Sequence, residues 1–477
     1  MTRERLTFGH GMHLPVPRPT AAAAATLAHE ATPVKLSRVE TWDWAWGGLL
    51  LFTILLFFRP QDQIQLLAQA HLNNVAALIG LAAMVGMKLS RGQPLTRLTP
   101  ELIGVVALAF VAAVTIPLSF WPGGAFNYFE TYILPVVLIF ALAINTVTSP
   151  RRVERITWVI VLAFGYMSAR VCFDYMRGVN LLEGGRATGP VGGFFQNPND
   201  LALNLASFVP FAFMYVKRPG PPLKRLVCLG ISVLMLAAII FTKSRGGTLG
   251  TVAMLITFLL IARVLSPIAL IGLILAGMLV LPAMPDNFWS RMASITDAKK
   301  DDTGSREERR ILLQQGWTVF LENPLTGIGA GQFRNYWHRG LPKKWHEVHN
   351  VWLQLAAEIG IFGVIAFAFL VIRGFSAAWW TRKRLMFRRR GRGRRAEKSD
   401  DEDGLTDDER SFLESHATAA VAAMVGWSVC ALFASVAFNW TFYYVLILCV
   451  TGRDVVRLRA AAYRKAKAAA QREAMAA

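Results

Sequence analysis

Long apolar stretches recur along most of this chain, and each is a candidate membrane crossing. We identify twelve, at about residues 45–58, 67–87, 101–118, 131–147, 155–175, 201–216, 225–242, 247–263, 266–282, 350–373, 416–436 and 438–451. A helix needs about 20 apolar residues to cross a ~30 Å hydrocarbon core. With 54% hydrophobic residues, 17% charged residues and a mean hydropathy of +0.39, the chain does not resemble a soluble domain. The sequence predicts an all-α polytopic membrane protein with about twelve transmembrane helices, and counts of eleven or thirteen remain open.

The net charge of +20 follows the loops between these stretches. Lys and Arg fall in alternate loops, including the run RKRLMFRRRGRGRR at 382–395 and the tail from Arg453. With twelve spans these loops share one side, which the positive-inside rule makes cytoplasmic. The basic blocks are thereby explained as topology signals and contacts with anionic membrane lipids, not as a nucleic-acid surface.

The spans and charges divide the chain into seven segments. We predict a cytoplasmic arm (1–44), transmembrane helices 1–9 (45–282), a large periplasmic loop (283–349), helix 10 (350–373), a charged cytoplasmic loop (374–415), helices 11 and 12 (416–452) and a basic cytoplasmic tail (453–477). The arm lacks the sustained apolar core of a cleaved signal peptide. The four cysteines are scattered without CxxC spacing, so neither a disulfide framework nor a metal cluster is indicated.

The periplasmic loop contains a helix signal of its own. Thr303 or Ser305 could cap the stretch REERRILLQQGWTVFLENP, which we expect to form an amphipathic helix on the membrane surface. Its predicted apolar face comprises Leu312, Leu313, Gly316 and Phe320.

Arginines on the predicted outer face are exceptions to the charge rule and therefore informative. Arg245 lies in FTKSRGGTLG between two spans, and Arg306 opens the loop helix. Each has a plain interpretation: Arg245 as an interfacial arginine, and Arg306 as a partner of Glu307 or Glu308. The functional interpretation is a pair of anion clamps, because guanidinium offers paired donors and a permanent charge to phosphate. Gly246 and Gly247 would leave room for a lipid headgroup; Arg309 and Arg310 are weaker candidates.

His349 stands at the end of the loop, directly before an apolar helix. It is either a histidine that bonds a neighbouring loop or a general base where lipid meets water. His338 and His346 are nearby, but their spacings do not match a compact metal site. We expect no metal and no cofactor.

Two glycine-rich stretches flank these residues. We interpret GIGAGQF (327–333) as a tight turn after the loop helix. Its alternating glycines are only weak evidence for a nest of backbone N–H groups that binds an anion. GGFFQNPNDLALN (192–204) brings Asn197, Asn199 and Asp200 to the start of a span, where Asp200 is the expected helix cap.

Together these stretches resemble the O-antigen ligase and O-antigen polymerase superfamily of bacterial membrane glycosyltransferases. The matching pieces are GGFFQNPNDLAL, FTKSRGGTLG, SREERRILLQQGWTVFLENPLTGIGAGQF and VHNVWLQLAAEIGIFG, which come in the family's order over about residues 190–365. The ligases of this superfamily share a pattern: His, then Asn, Ser or Gln, then two spaced glycines. In this sequence His349, Asn350, Gly360 and Gly363 resemble that pattern. The resemblance is closest to O-antigen ligase.

The resemblance implies a GT-C-like fold and a metal-independent, inverting sugar transfer on the outer face of the inner membrane. The implied donor is a glycan on undecaprenyl diphosphate, and the implied acceptor is lipid A–core oligosaccharide. By motif, His349 corresponds to the catalytic histidine, and Arg245 and Arg306 correspond to the diphosphate-binding pair. Asn350, Arg186, Asn197 and Arg310 are secondary candidates.

Other functions remain open at this stage. A polysaccharide polymerase or a protein O-oligosaccharyltransferase would use the same donor. A transporter of lipid-linked glycans would need ionisable residues along a central path, whereas those singled out here cluster at one face. The glycan, the acceptor and the oligomeric state are not fixed by the sequence.

Overall fold

The computed structural model describes residues 43–64, 67, 69–182, 184–262, 305–336, 347–392 and 403–476, and within them the chain is mainly helical. The first helices are α1 (Trp44–Phe58), α2 (Pro60–Gln63), α3 (Leu72–Ser90), α4 (Pro100–Val114), α5 (Pro122–Tyr128), α6 (Leu134–Thr146) and α7 (Pro150–Met176). Then come α8 (Pro198–Lys217), α9 (Pro222–Thr242), α10 (Arg245–Ala262), α11 (Ser305–Glu322), α12 (Val351–Arg392), α13 (Asp407–Ala431) and α14 (Trp440–Ala476).

Short elements connect several of these helices. A 3-10 turn, Ile116–Leu118, follows α4, and a π turn, Phe129–Ile133, joins α5 to α6. After α7, strand β1 (Leu181–Leu182) pairs antiparallel with β2 (Arg186–Ala187), with Leu182 opposite Arg186. Further 3-10 turns lie at Gly193–Phe195 and Phe333–Asn335.

Seven helical segments of the described chain are long and apolar enough to cross a membrane. They are Leu72–Ser90, Pro100–Leu118, Pro122–Thr146, Pro150–Met176, Pro222–Thr242, Arg245–Ala262 and Val351–Met386. Four further predicted spans also fall mostly within helices, but those helices are shorter or more polar. They are 45–58 in α1, 201–216 in α8, 416–436 in α13 and 438–451 in α14. The span predicted at 266–282 lies outside the described residues. An all-α polytopic class is confirmed, while the number twelve stays a prediction.

Three helices extend beyond the segment boundaries drawn from hydropathy. Helix α12 continues to Arg392 into the predicted cytoplasmic loop, α13 begins at Asp407, and α14 continues to Ala476 through the predicted tail. Hydropathy marks where a helix can cross lipid, not where it ends. Ala, Lys and Arg are good helix formers and continue these helices outside the apolar stretch.

Capping residues followed by proline fix where several helices begin. Thr99 Oγ1 accepts from Leu102 N at 3.2 Å, and Ser149 Oγ accepts from Arg152 N at 3.2 Å. The same arrangement starts α8, where Asn197 Oδ1 accepts from Asn199 N at 2.8 Å. The prediction that Asp200 caps this helix is therefore wrong. Asp200 lies in the first turn of α8 instead.

Helix α8 and the first half of α14 lie at the centre of the helix assembly. Most side chains of α8, and all those from Thr441 to Val456 in α14, are buried. The Thr441 hydroxyl bonds the Asn204 side chain between the two helices, and the Tyr444 hydroxyl lies 2.8 Å from Thr53 Oγ1 of α1. Such polar contacts hold membrane helices together, where apolar surface alone gives little preference for protein over lipid.

Candidate active site

Arg245 occupies the first position of α10, and the residue before it caps that helix. Ser244 Oγ accepts from Gly247 N at 3.2 Å, and the Ser244 carbonyl accepts from Thr248 N at 2.9 Å. Gly246 and Gly247 do not leave room for a headgroup, contrary to the sequence interpretation. A Cβ on Gly246 would lie 2.9 Å from Phe433 Cβ, and one on Gly247 would lie 2.4 Å from Ala202 Cβ. The two glycines allow close packing at the base of Arg245.

Arg186 and Asn199 join this cap. Asn199 Oδ1 accepts two hydrogen bonds, from Ser244 Oγ at 2.9 Å and from Arg186 Nη2 at 2.9 Å. Arg186 Nε also donates to the Thr242 carbonyl at 3.3 Å. The secondary candidate Arg186 is thus linked to the start of α10 through one shared amide oxygen. Asn197 contributes by capping the helix that carries Asn199.

The sequence did not single out Lys243, although it is the most buried cation at this site. It is 1% exposed, has a left-handed backbone (φ 50°), and donates from Nζ to the Gly184 carbonyl at 2.9 Å. This contact ties the hairpin β1–β2 to the end of α9. A lysine is unusual at the predicted outer end of a span, and that signal could have identified it.

His349 and Asn350 form the start of α12. Asn350 Oδ1 accepts from Trp352 N and Leu353 N, both at 3.0 Å, so Asn350 is the helix cap. His349 precedes it with a left-handed backbone (φ 57°) and donates from its backbone N–H to Ser435 Oγ at 2.9 Å. Its side chain is partly buried.

Residues 432–439, which we call the 432–439 bend, connect α13 to α14 and contact both parts of the site. Asn350 Nδ2 donates to the Leu432 carbonyl at 3.1 Å, and Ser435 holds the His349 backbone. Phe433 packs on Gly246, next to Arg245. The bend therefore brings the starts of α10 and α12, and with them Arg245 and His349, to one face of the molecule.

The glycine-rich stretch after α11 packs on a break in α12. Gly360 is non-helical inside α12, with φ 71° and ψ −171°. The break leaves backbone groups that pair with the turn: Ile328 N donates to the Ala357 carbonyl at 3.0 Å, and Gly329 N to the Glu358 carbonyl at 2.8 Å. The predicted tight turn is confirmed, with positive φ at Gly327, Gly329 and Gly331. Its role is to dock the loop against the helix that carries His349.

Acidic groups approach the site from the same loop. The Glu347 carboxylate ion-pairs with Arg334, and the carboxyl groups of Glu347 and Asp200 are near enough to interact electrostatically. Burial raises the pKa of Glu347 above its usual range, while Arg334 opposes that change. Glu347, two residues before His349, thus lies within electrostatic range of the first turn of α8.

Two further arginine candidates, Arg306 and Arg310, lie on α11. Arg306 is the second residue of α11, and its side chain lies outside what the structure describes. Arg310 is largely exposed and lies 3.6 Å from Glu307, an ordinary surface pair. Helix α11 packs on α12 through Leu312, Gly316 and Val319, whereas Leu313 is 39% exposed. Part of the predicted apolar face, Leu312 and Gly316, is thus used to pack on α12, and the placement of this helix on a membrane surface stays a prediction.

His338 and His346 lie outside the described residues, as does Thr303. Within the described ranges, no group of three His, Cys, Asp or Glu side chains is placed to hold a metal ion.

Comparison with known families agrees with the motifs. Residues 230–368 match the family model described as O-Antigen ligase. This segment contains Arg245, Arg306, Arg310, His349 and Asn350, and excludes Arg186 and Asn197. A search of curated proteins finds none that matches the chain. The family match confirms the resemblance to the O-antigen ligase and polymerase superfamily.

Proposed function

We propose that this chain, as a member of the O-antigen ligase and polymerase superfamily, is an O-antigen ligase of the bacterial inner membrane. It would transfer a glycan from undecaprenyl diphosphate to lipid A–core oligosaccharide. One observation carries the proposal: the starts of α10 and α12, with Arg245 and His349, both contact the 432–439 bend, and Asn199 at the start of α8 bonds Ser244 beside Arg245.

The guanidinium of Arg245 would bind the diphosphate of the donor. When the bond between the sugar and the diphosphate breaks, negative charge grows on the leaving phosphate oxygens. A guanidinium fixed in place before the reaction stabilises that charge without reorganising. The bonds of Asn199 to Ser244 and Arg186 would keep the start of α10 in position. Arg306 is proposed as the second clamp on the strength of the motif.

His349 would act as the general base. The acceptor hydroxyl oxygen attacks the anomeric carbon from the side opposite the diphosphate, and its proton passes to the imidazole of His349. A new carbon–oxygen bond forms as the old one breaks, so the anomeric configuration inverts. The backbone bond to Ser435 and the Asn350 cap would hold the histidine at the helix start.

A deletion strain tests the proposal most directly. We expect loss of all long-chain lipopolysaccharide, with full-length polymer accumulating on the lipid carrier. A single repeat attached to the core would instead identify a polymerase. Unchanged lipopolysaccharide together with a glycosylation defect in proteins would identify a protein O-oligosaccharyltransferase.

A further inference from the structure

A surface cleft of about 820 Å³ lies beside the candidate active site. One wall is the end of α1 and the short α2, including Arg59, Gln61 and Gln63; the other is the loop after α7, including Thr188 and Gln196. Its volume falls within the ~300–1,000 Å³ range of small-molecule sites. The contacts described above leave this cleft without a role.

Among the described residues, two charged groups line the cleft, Arg59 and Asp62, and they neutralise each other. Arg59 Nε donates to Asp62 Oδ2 at 2.6 Å, and Arg59 Nη2 donates to Asp62 Oδ1 at 3.2 Å. Asp62 Oδ2 also accepts from Gly192 N at 2.7 Å, which joins the two walls. The remaining polar lining is neutral, mainly amide and hydroxyl side chains. The described lining therefore has no net charge that would favour a phosphate or a charged headgroup.

One lining amide carries an unsatisfied acceptor. Gln61 Nε2 donates to the Leu55 carbonyl at 3.1 Å, and this bond orients the side chain. Its Oε1 atom is buried and has no hydrogen-bond partner among the described residues. Because this oxygen is buried, a ligand in the cleft would contact the Gln61 side chain elsewhere; the bond to Leu55 fixes that side chain in the cleft wall. Gln63 is oriented in the same way, since its Oε1 accepts from the Tyr166 hydroxyl at 3.0 Å.

The cleft and the proposed diphosphate clamp share one short loop. Leu182, in β1, and Thr188, just after β2, line the cleft. Arg186, in β2, bonds the Asn199 side chain beside Ser244. A ligand in the cleft would therefore lie next to the site at which the sugar–diphosphate bond is proposed to break.

We propose that this cleft binds an uncharged, hydroxyl-rich segment of oligosaccharide. Sugar hydroxyl groups both donate and accept, and they match fixed amides and a carboxylate better than apolar or anionic ligands do. The inference rests on the proposed function for its context. The oligosaccharide is either the glycan of the donor or the sugars of the acceptor, which have the same chemistry.

Two substitutions remove amides from the cleft. Gln196→Leu changes an exposed side chain, and Gln61→Leu removes the lining amide that is fixed on the Leu55 carbonyl. Gln314→Leu, an exposed glutamine on α11, is the matched control. Initial transfer rates are measured with donor varied at saturating acceptor, and then with acceptor varied at saturating donor.

We expect each cleft variant to raise KM for one substrate by roughly three- to tenfold, the effect of one lost hydrogen bond, with kcat nearly unchanged. A change confined to the donor KM places the donor glycan in the cleft, and a change confined to the acceptor KM places the acceptor there. If both KM values stay at the wild-type level in Gln196→Leu and Gln61→Leu, the proposal is overturned.

Direct binding separates this inference from the proposed function. The probe is free oligosaccharide released from the lipid-linked donor, and a second probe is the delipidated core oligosaccharide; binding is followed by saturation-transfer NMR. If the wild-type protein fails to transfer but binds one probe, and Gln196→Leu weakens that binding, the ligase proposal fails while the cleft assignment stands. If the wild type transfers but binds neither probe, and both cleft variants keep wild-type KM values, the cleft assignment fails alone.

Discussion

His349 has a backbone conformation that few residues adopt. At φ 57° it lies in the left-handed region, which non-glycine residues adopt uncommonly and in which Asn, Asp and His are enriched. Its N–H bond to Ser435 and the adjacent Asn350 cap hold it there. These contacts fix the position of the proposed base at the start of α12.

His349→Asn is the sharpest test of the proposed base, because asparagine tolerates the left-handed conformation but cannot serve as a base. We expect transfer to fall about 10²–10⁴-fold, with donor affinity unchanged because Arg245 and Arg306 remain. Activity is measured with purified protein, lipid-linked donor and core acceptor, alongside thermal stability. His338→Ala and His346→Ala serve as controls and should cost much less. Near-normal turnover in His349→Asn would exclude a general-base role.

Arg245 is expected to act through paired donors as well as charge. Arg245→Ala should weaken donor binding and transfer strongly, while Arg245→Lys should restore only part, because lysine is a point charge without the planar donor pair. Arg310→Ala is the matched control, since its side chain is exposed and paired with Glu307. Donor affinity and initial rate are the measurements. Equal activity in Arg245→Ala and Arg310→Ala would remove Arg245 from the site.

The charge stabilisation proposed for Arg245 and Arg306 requires no divalent ion. Transfer by purified protein is therefore expected to continue at the same rate after treatment with a chelator. The measurement compares initial rates before treatment, after treatment, and after separate addition of Mg²⁺, Mn²⁺ and Ca²⁺. Loss of activity that one of these ions restores would contradict the proposal.

Among the helices, the break in α12 at Gly360 shapes the site most. It exposes the Ala357 and Glu358 carbonyls to the glycine-rich turn, and Ile361 N donates to the Pro324 carbonyl at 2.9 Å. A Cβ on Gly360 would lie 2.3 Å from the Leu325 carbonyl oxygen, so only glycine fits. Close packing against Leu325 therefore explains why Gly360, the first glycine of the ligase pattern, stands where the glycine-rich turn docks on α12.

Gly360→Ala should destabilise the protein by about 1–3 kcal/mol from backbone strain alone, with the steric clash adding to it. Activity should fall because the turn no longer docks beneath His349. Gly374→Ala, in the same helix, is the matched control: a Cβ there meets only flexible ends of Met424 and Leu446 side chains, 3.0–3.4 Å away. Thermal unfolding in detergent measures both variants. Equal stability of the two would show that the break is not required.

Hydropathy predicted most helices but not the contacts between them. The apolar stretches in the described chain are helical because a long apolar segment must satisfy its backbone within lipid. The 432–439 bend was not predicted, because its bonds join residues far apart in sequence, such as Ser435 and His349. The same applies to Asn199 and Ser244, whose pairing depends on how α8 packs against α10. Motifs identified Arg245 and His349, whereas packing alone identified Ser435 and Lys243.

Across the described part of the molecule, the contacts near the ends of the helices form two groups, which we call the first set and the second set. One set contains the pairs Arg453–Glu101, Arg373–Glu101, Arg218–Asp408, Lys224–Glu154 and Arg152–Asp43. The other contains the cleft, the hairpin β1–β2, the start of α10 and the start of α12. The first set joins the basic loops that the charge pattern assigns to the cytoplasm. The candidate active site falls entirely in the second set.

This sorting leads to a prediction of orientation. If the basic loops face the cytoplasm, a reporter fused after Arg395 should behave as cytoplasmic, and one fused near Asp302 should behave as periplasmic. The physical reason is that Lys and Arg near the ends of spans are retained on the cytoplasmic side. Alkaline phosphatase and green fluorescent protein fusions at both positions give opposite signals and control for each other. A reversed result at either position would place His349 and Arg245 away from a periplasmic donor, and the ligase mechanism would fall with the topology.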